Sequence, residues 1–187
     1  MADPVAIILA DGFEETEAVA TIDVLRRAEV DISVAALDNA QSVRGAHGMR
    51  LFADCGLERL DASRLEMVIL PGGMPGSKNL AESDAVLSLL KSVHSQGGII
   101  AAICAAPLAL HAAGLLEGVT ATAYPAVRAE LKDCNYTGKP VEKDGSIVTG
   151  KGPGVVFAFA LTLVDILCGK EKANKLADAM LVPPSCR

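Results

Sequence analysis

The chain has 187 residues, of which 51% are hydrophobic and 21% charged. This composition can bury one substantial core, and it excludes intrinsic disorder and fibrous repeats. The net charge is -6, and the sequence has no dense cluster of lysine and arginine that could bind nucleic-acid backbones or anionic lipid. Aromatic residues make up only 3%, so few side chains are available to stack on bases. We therefore expect one domain over residues 1–187, with no strong nucleic-acid or membrane signal.

The termini and the cysteines predict a cytoplasmic protein with free thiols. The N-terminus shows neither a basic leader nor an apolar segment of signal-peptide length, and no run reaches the ~20 apolar residues that span a bilayer. The five cysteines are irregularly spaced and contain no C-x-x-C pair, which argues against a disulfide framework or a zinc knuckle. No metal site is expected from this spacing.

The first half of the chain alternates apolar strands with helices. Val5–Leu9 is a short β-branched run that stops at Asp11-Gly12, which is typical of a buried parallel strand. From Glu14 to Arg27, apolar residues recur at helical spacing, with acidic residues first and basic residues last. Further strands are predicted over 32–37 and 67–70, with a weaker extended segment over 49–53 and a loop over 71–76.

The second half continues the alternation. A helix that Ser83 caps and Gly97 stops leads to a strand over Ile99–Ile103, and Pro107 then suits the first turn of a helix that continues to 116. The remaining predictions are a strand over 119–123, a short helix over 126–131, a hairpin over 141–149, and helices over 155–167 and 171–181. This order predicts a doubly wound parallel sheet, with ligands beyond the carboxyl ends of its strands at 11–12, 71–76, 104 and 124–125.

Cys104 is the strongest candidate for a reactive group, because it lies between the strand Ile99–Ile103 and the start of a helix. Free N–H groups and the helix dipole at such a position lower the pKa of a thiol and favour the thiolate. Most free cysteines are small buried core residues, but the position at a strand end favours a nucleophile here. The other cysteines lack this setting and are interpreted as structural: Cys55, Cys134, Cys168 and Cys186.

Glycines and acidic residues lie at the same predicted edge of the sheet. Gly72 and Gly73 end a neighbouring strand, where backbone N–H groups can converge on an oxyanion, although most such turns have no catalytic role. Acidic residues are common in a first helical turn, and periodicity does not select one of Glu14, Glu15 and Glu17. The three histidines are scattered, and none is predicted to be the base of a cysteine–histidine dyad: His47, His94 and His111.

Four segments together resemble the ThiJ/PfpI superfamily and, within it, the DJ-one branch. They are Gly12-Phe13-Glu14-Glu15-Thr16-Glu17, Leu70-Pro71-Gly72-Gly73, Ala101-Ala102-Ile103-Cys104-Ala105-Ala106-Pro107 and Gly152-Pro153-Gly154. Their order and spacing match the family over nearly the whole chain, and segments 141–145 and 169–171 are similar to that branch specifically. The resemblance implies a flavodoxin-like fold of the class I glutamine amidotransferase type, and a homodimer.

The resemblance also implies roles for particular residues. Cys104 would be the nucleophile, and Glu17 the carboxylic acid that hydrogen-bonds to it. A carboxyl beside a thiolate in a desolvated crevice should have a raised pKa and keep its proton. Gly73 and Ala105 match family positions whose backbone N–H groups line the pocket, so they are the predicted oxyanion donors.

Two positions depart from the family pattern. Tyr124, followed by Pro125, stands where many relatives carry a histidine, and His47 stands where the eukaryotic proteins have an arginine. These three residues and Gly72 are candidate pocket residues. Without a histidine base, proton transfer would depend on Glu17 and water, and the substrate range could differ.

The resemblance implies a cofactor-independent glyoxalase, also described as a protein deglycase, that acts on glyoxal or methylglyoxal and protects against carbonyl and oxidative stress. The main alternative is an oxidative-stress sensor and redox-regulated chaperone with little turnover, in which Cys104 is oxidised to the sulfinate. A cysteine peptidase or amidotransferase is the third interpretation, but it needs a histidine where Tyr124 stands. Small aldehydes are the expected partners, and neither a cofactor nor a metal is expected.

Overall fold

Seven strands form the central sheet of the computed structural model, which describes residues 4–187. In chain order, the strands of the protein are β1 (Val5–Leu9), β2 (Ile32–Ala36), β3 (Ser42–Arg44), β4 (Arg50–Phe52), β5 (Cys55–Gly56), β6 (Met67–Leu70), β7 (Ile99–Ile103), β8 (Thr120–Ala121), β9 (Asn135–Tyr136), β10 (Val141–Asp144) and β11 (Ile147–Gly150). The α-helices are α1 (Glu15–Arg27), α2 (Gly76–Ala81), α3 (Asp84–Ser95), α4 (Pro107–Ala112), α5 (Val156–Cys168) and α6 (Lys170–Ala179).

The order of the main sheet is β10-β11-β7-β6-β1-β2-β5. All neighbours are parallel except β10, which forms an antiparallel hairpin with β11 at one edge. The chain moves outward from β1 to β2 and then returns to place β6 on the other side of β1. This reversal opens a crevice at the carboxyl ends of β1 and β6, where doubly wound folds bind ligands. The predicted fold class is confirmed.

The two faces of the sheet are covered by separate apolar layers. Alternate residues of a strand point to opposite faces, so Ile7 belongs to the apolar layer that includes α1, α5 and α6, whereas Ile8 belongs to the layer that includes α3 and α4. Both side chains are fully buried. The near-continuous apolar sequence of β1, β6 and β7 is the result of this burial on both faces.

Several element boundaries differ from the sequence-based expectations. The strand predicted over 119–123 is only the two residues of β8, which pair with β9 in a separate small sheet, so residues 124–125 do not end a strand of the main sheet. Helix α4 ends at Ala112 and not at 116, because Gly114 takes a positive φ that terminates it. The segment predicted as a short helix over 126–131 is a 3-10 helix, Pro125–Glu130.

Within the described residues 4–187, none of the helices combines the length and the apolar character needed to cross a lipid bilayer.

Candidate active site

Cys104 follows β7 directly and faces the crevice. Its φ of 64° lies in the left-handed region, which is uncommon for a residue with a side chain. Two backbone hydrogen bonds hold this conformation: the Cys104 N–H donates to the Gly150 carbonyl at 2.9 Å, and the Cys104 carbonyl accepts from the Tyr124 N–H at 2.7 Å. The residue is only 8% exposed. A strained residue that its surroundings hold in place is characteristic of functional sites.

Glu17 approaches Cys104 from the first turns of α1. It is completely buried, and its Oε2 accepts a hydrogen bond of 2.7 Å from the Gly72 N–H. The Oε1 atom is also buried and makes no hydrogen bond of good geometry within the described residues. The thiol of Cys104 also interacts with this carboxyl. An incompletely satisfied buried carboxyl requires a functional explanation.

Gly72 allows the carboxyl and the thiol to meet. A Cβ atom at this position would lie 2.5 Å from Cys104 Cβ and 2.7 Å from Glu17 Oε2. Both distances are well below a van der Waals contact, so any larger residue would push the two side chains apart. The glycine therefore has a steric role as well as donating its N–H.

The burial of Glu17 determines its protonation. Desolvation raises the pKa of this carboxyl from its ordinary value of 4.5 to about 7, against the opposing hydrogen bonds from the Gly72 N–H and the Cys104 thiol. The negative charge of Glu14 raises it further. The carboxyl is therefore protonated in a large fraction of molecules at neutral pH.

The expectation that the position of Cys104 lowers its pKa is wrong. The pKa of the thiol is raised to about 12. Burial is the largest cause, and repulsion from the Glu17 carboxylate and the hydrogen bond to it raise the pKa further. The N–H groups of Gly73 and Ala105 oppose this by donating toward the sulfur. Helix α4 is only six residues long and starts three residues after Cys104. Its dipole is therefore too small and too distant to offset the burial of the sulfur.

The thiol and the carboxyl titrate as one coupled pair. Removal of the first proton leaves a single negative charge and a single proton for two adjacent groups. That proton can lie on sulfur or on the carboxyl. When it lies on Glu17, the repulsion that raises the pKa of Cys104 disappears, and the carboxyl O–H can donate to the thiolate.

The remaining candidate residues, Tyr124 with Pro125 and His47, have different neighbours. The Tyr124 backbone N–H donates to the Cys104 carbonyl, and the residue is 47% exposed and directly precedes the 3-10 helix that begins at Pro125. His47 lies in the β3–β4 connection, where its Nδ1 is 2.9 Å from Glu15 Oε2. Hydrogen bonding to Glu15, and then the charges of Glu14 and Glu15, raise the pKa of His47.

The contact between Glu15 and His47 was not predicted from the sequence. The two residues are 32 positions apart, and no local pattern relates them. Burial raises the pKa of Glu15, but hydrogen bonds from the His47 ring and from the backbone of residues 47 and 49 outweigh it, so the pKa is lowered overall. The resemblance indicated His47 as a pocket residue, but its carboxylate partner becomes evident only from the folded chain.

Comparisons with known proteins identify a family that matches most of the chain. The family described as DJ-1/PfpI matches residues 3–166. Protein dj-1beta of Drosophila melanogaster is 40% identical over 185 residues, which cover 97% of this chain and 98% of that protein. The glutathione-independent glyoxalase DJR-1.2 of Caenorhabditis elegans is 35% identical over 87% of each chain. A crystal structure of Drosophila melanogaster DJ-1beta superposes with a TM-score of 0.93 at 39% identity, covering 98% of this chain and all of that one.

Proposed function

Because the chain belongs to the DJ-1/PfpI family, we propose that it is a cofactor-independent glyoxalase that converts methylglyoxal or glyoxal to the corresponding hydroxy acid. The observation that carries this proposal is the buried pair of Cys104 and Glu17 below the N–H groups of Gly73 and Ala105. A relative named as a glutathione-independent glyoxalase supports it. Protein deglycation would use the same site on early aldehyde adducts, in protection against carbonyl and oxidative stress.

The first step is addition of sulfur to the aldehyde carbon. The pair reacts in its singly charged form with the proton on Glu17, so that Cys104 is a thiolate. A carbon–sulfur bond forms, and the oxyanion that develops on the former carbonyl oxygen is held by the N–H groups of Gly73 and Ala105. Glu17 then gives its proton to that oxygen, which leaves a neutral hemithioacetal and a carboxylate.

The second step is an internal proton transfer. The Glu17 carboxylate removes the proton from the carbon that bears sulfur and returns a proton to the adjacent carbon. One carbon is oxidised and its neighbour is reduced, so no external electron carrier is needed. The hydroxyl proton of the hemithioacetal passes to the oxygen of the adjacent carbon in the same rearrangement. The product is a thioester of the hydroxy acid on Cys104, and water cleaves the carbon–sulfur bond to release the acid and the thiol.

The decisive experiment is Cys104→Ser, with D- and L-lactate measured after addition of methylglyoxal. We expect lactate formation to fall to the uncatalysed rate while the fold is retained, as judged by circular dichroism. Cys168→Ser is the matched control, since this thiol is exposed at the end of α5, and it should leave turnover unchanged. Lactate formation at the wild-type rate in Cys104→Ser would exclude the mechanism.

A sensor and chaperone role is the second candidate, and the protonated carboxyl beside the sulfur supports it. Oxidation of the Cys104 thiolate by peroxide to a sulfinate adds two oxygens, one of which could accept a hydrogen bond from Glu17. Intact-mass and peptide mass spectrometry after mild peroxide treatment tests this. Selective gain of two oxygens at Cys104, together with undetectable methylglyoxal turnover, would favour the sensor over the enzyme.

A further inference from the structure

A cluster of metal-ligand side chains lies outside the Cys104–Glu17 pair. One carboxylate oxygen from each of Glu14 and Glu15 and one ring nitrogen of His47 all lie within 4.8 Å of one another. His47 Nδ1 is 3.6 Å from Glu14 Oε2 and 2.9 Å from Glu15 Oε2. Two carboxylates from adjacent residues therefore converge on a single imidazole nitrogen.

The fold holds these three groups in place. Oε1 of Glu15 accepts hydrogen bonds from the His47 N–H at 2.7 Å and the Met49 N–H at 3.3 Å, which leaves Oε2 directed at the ring. The Ala46 N–H donates to the Phe13 carbonyl at 2.8 Å and ties the same loop to the residues before α1. The Glu15 side chain is 5% exposed, whereas the His47 side chain is 71% exposed. One carboxylate is thus fixed, and the imidazole can adjust toward a ligand.

We propose that Glu14, Glu15 and His47 form a site for a divalent transition-metal ion of the zinc type. Bonds of about 2.0–2.2 Å from zinc to nitrogen and oxygen place tetrahedral ligand atoms about 3.3–3.5 Å apart. The separation from His47 Nδ1 to Glu14 Oε2 already fits this geometry. The shorter separation to Glu15 Oε2 has to widen by about half an ångström, which rotation of the exposed ring permits.

The ligand types define the class of metal. One imidazole with two carboxylates suits zinc, cobalt, nickel or copper, whereas magnesium and calcium prefer oxygen ligands alone. Three protein ligands leave a coordination position open to solvent on the exposed side of His47. The two negative charges balance the charge of a divalent ion.

The site adjoins the Cys104 crevice through the backbone. The Glu14 N–H donates to the Gly72 carbonyl at 2.8 Å, and the Gly72 N–H binds Glu17. A metal held by Glu14 would therefore lie beside the pocket without using the thiol as a ligand. The proposal is independent of the glyoxalase proposal, because it is tested by metal binding and not by turnover.

The test is a titration of the full chain with Co²⁺ and Zn²⁺ in a Cys104→Ser background, followed by calorimetry and absorption spectroscopy. We expect one ion per chain, with weak visible d–d bands and without the intense near-ultraviolet band of thiolate ligation. His47→Gln and Glu14→Gln should each weaken binding by about tenfold or more. His111→Gln is the control, since His111 also lies near a carboxylate, with Nδ1 4.0 Å from Asp133 Oδ2, and should bind as the parent does.

Unchanged stoichiometry and affinity in His47→Gln would overturn the proposal, and so would a spectrum dominated by sulfur ligation. His47 and Glu14 contribute little to the core, so both variants should fold. Circular dichroism of each variant verifies this. Loss of binding in His111→Gln alone would assign the metal to a different histidine and would also exclude the site.

Discussion

Glu17 destabilises the folded chain at neutral pH, because it is buried and its pKa is raised from 4.5 to about 7. The unfolded chain loses this proton first as the pH rises. The stability contributed by the protonated carboxyl is fully present below pH 4.5 and is lost as the pH rises through about 7. The difference in pKa corresponds to about 3 kcal/mol at alkaline pH. This is a stability cost of a functional site.

Glu17→Gln should therefore have a stability effect that depends on pH. The amide keeps an acceptor for the Gly72 N–H but cannot ionise, so we expect the free energy of unfolding at pH 8 to rise by about 2–3 kcal/mol relative to wild type. At pH 4.5 the two proteins should be nearly equal. Urea unfolding at both pH values measures this. Equal stabilities at pH 8 would show that Glu17 does not have a raised pKa.

The same substitution should change the pH dependence of alkylation at Cys104. Below pH 7 the wild-type pair holds both protons, and its reactivity toward iodoacetamide should increase as the pH rises through about 7. In Glu17→Gln only the thiol titrates, and its burial keeps its pKa high. We expect the midpoint of the alkylation rate to move from about 7 to a more alkaline pH, because no second group then loses a proton near neutral pH. An unchanged midpoint would remove Glu17 from the reactive pair.

Gly72→Ala tests whether the pair depends on close approach. The added Cβ would overlap Cys104 Cβ and Glu17 Oε2, so we expect a stability loss of about 1–3 kcal/mol and a methylglyoxal turnover reduced by at least about tenfold. Gly154→Ala is the matched control, because a Cβ there meets no atom within 4 Å and its φ is not positive. Equal turnover in the two variants would contradict the steric role of Gly72.

At the scale of elements, the β3–β4 connection is attached to α1 by one carboxylate. Glu15→Ala removes the acceptor of the His47 and Met49 N–H groups. We expect hydrogen exchange at these two amides to accelerate by about tenfold or more, and the unfolding free energy to fall by about 1 kcal/mol. Glu15→Gln keeps the acceptor and should retain most of the protection. Unaltered exchange in Glu15→Ala would mean that the loop is held by other contacts.

The sequence predicts strands best where both faces of the strand are buried in the folded chain. Strands β1, β6 and β7 were predicted with their observed boundaries, because a short apolar run between loop residues has few alternatives. The strand predicted over 119–123 failed, because only Thr120 and Ala121 form strand pairs, and they pair with β9 in a separate small sheet and not with the main sheet. The two-residue β5 has no recognisable pattern, since it depends on pairing with β2.

The candidate site was predictable only in part, for physical reasons. The position of Cys104 after an apolar strand identifies it from sequence. Periodicity could not select Glu17 from three neighbouring glutamates, so only the resemblance indicated it. The direction of the Cys104 pKa shift was wrong, because the helix dipole is a local property, whereas the burial of the sulfur and the carboxylate beside it depend on tertiary structure.

At the scale of the whole molecule, one face leaves apolar surface exposed between α1 and the β3–β4 hairpin. Phe52 is 81% exposed, Met49 57% and Val19 42%. A groove of about 420 Å³ lies between Val19 and Phe52, lined by further apolar side chains of α1, β2 and β4 and by three charged residues: Asp23, Arg26 and Asp54. Large apolar side chains grouped on one surface with a charged rim are typical of a protein interface.

We propose that a second copy of the chain covers this face, as the family resemblance implies, and Phe52→Asp is the test. A charge in the centre of an apolar interface would be desolvated without a partner, so we expect sedimentation equilibrium to shift from dimer to monomer. Ser88→Asp adds the same charge on α3, which packs on the opposite face of the sheet, and should leave the dimer intact. Dissociation would uncover the β3–β4 hairpin, which also carries His47. Hydrogen exchange across residues 45–52 should therefore increase in Phe52→Asp and not in Ser88→Asp. A wild-type chain that sediments as a monomer would refute the interface directly.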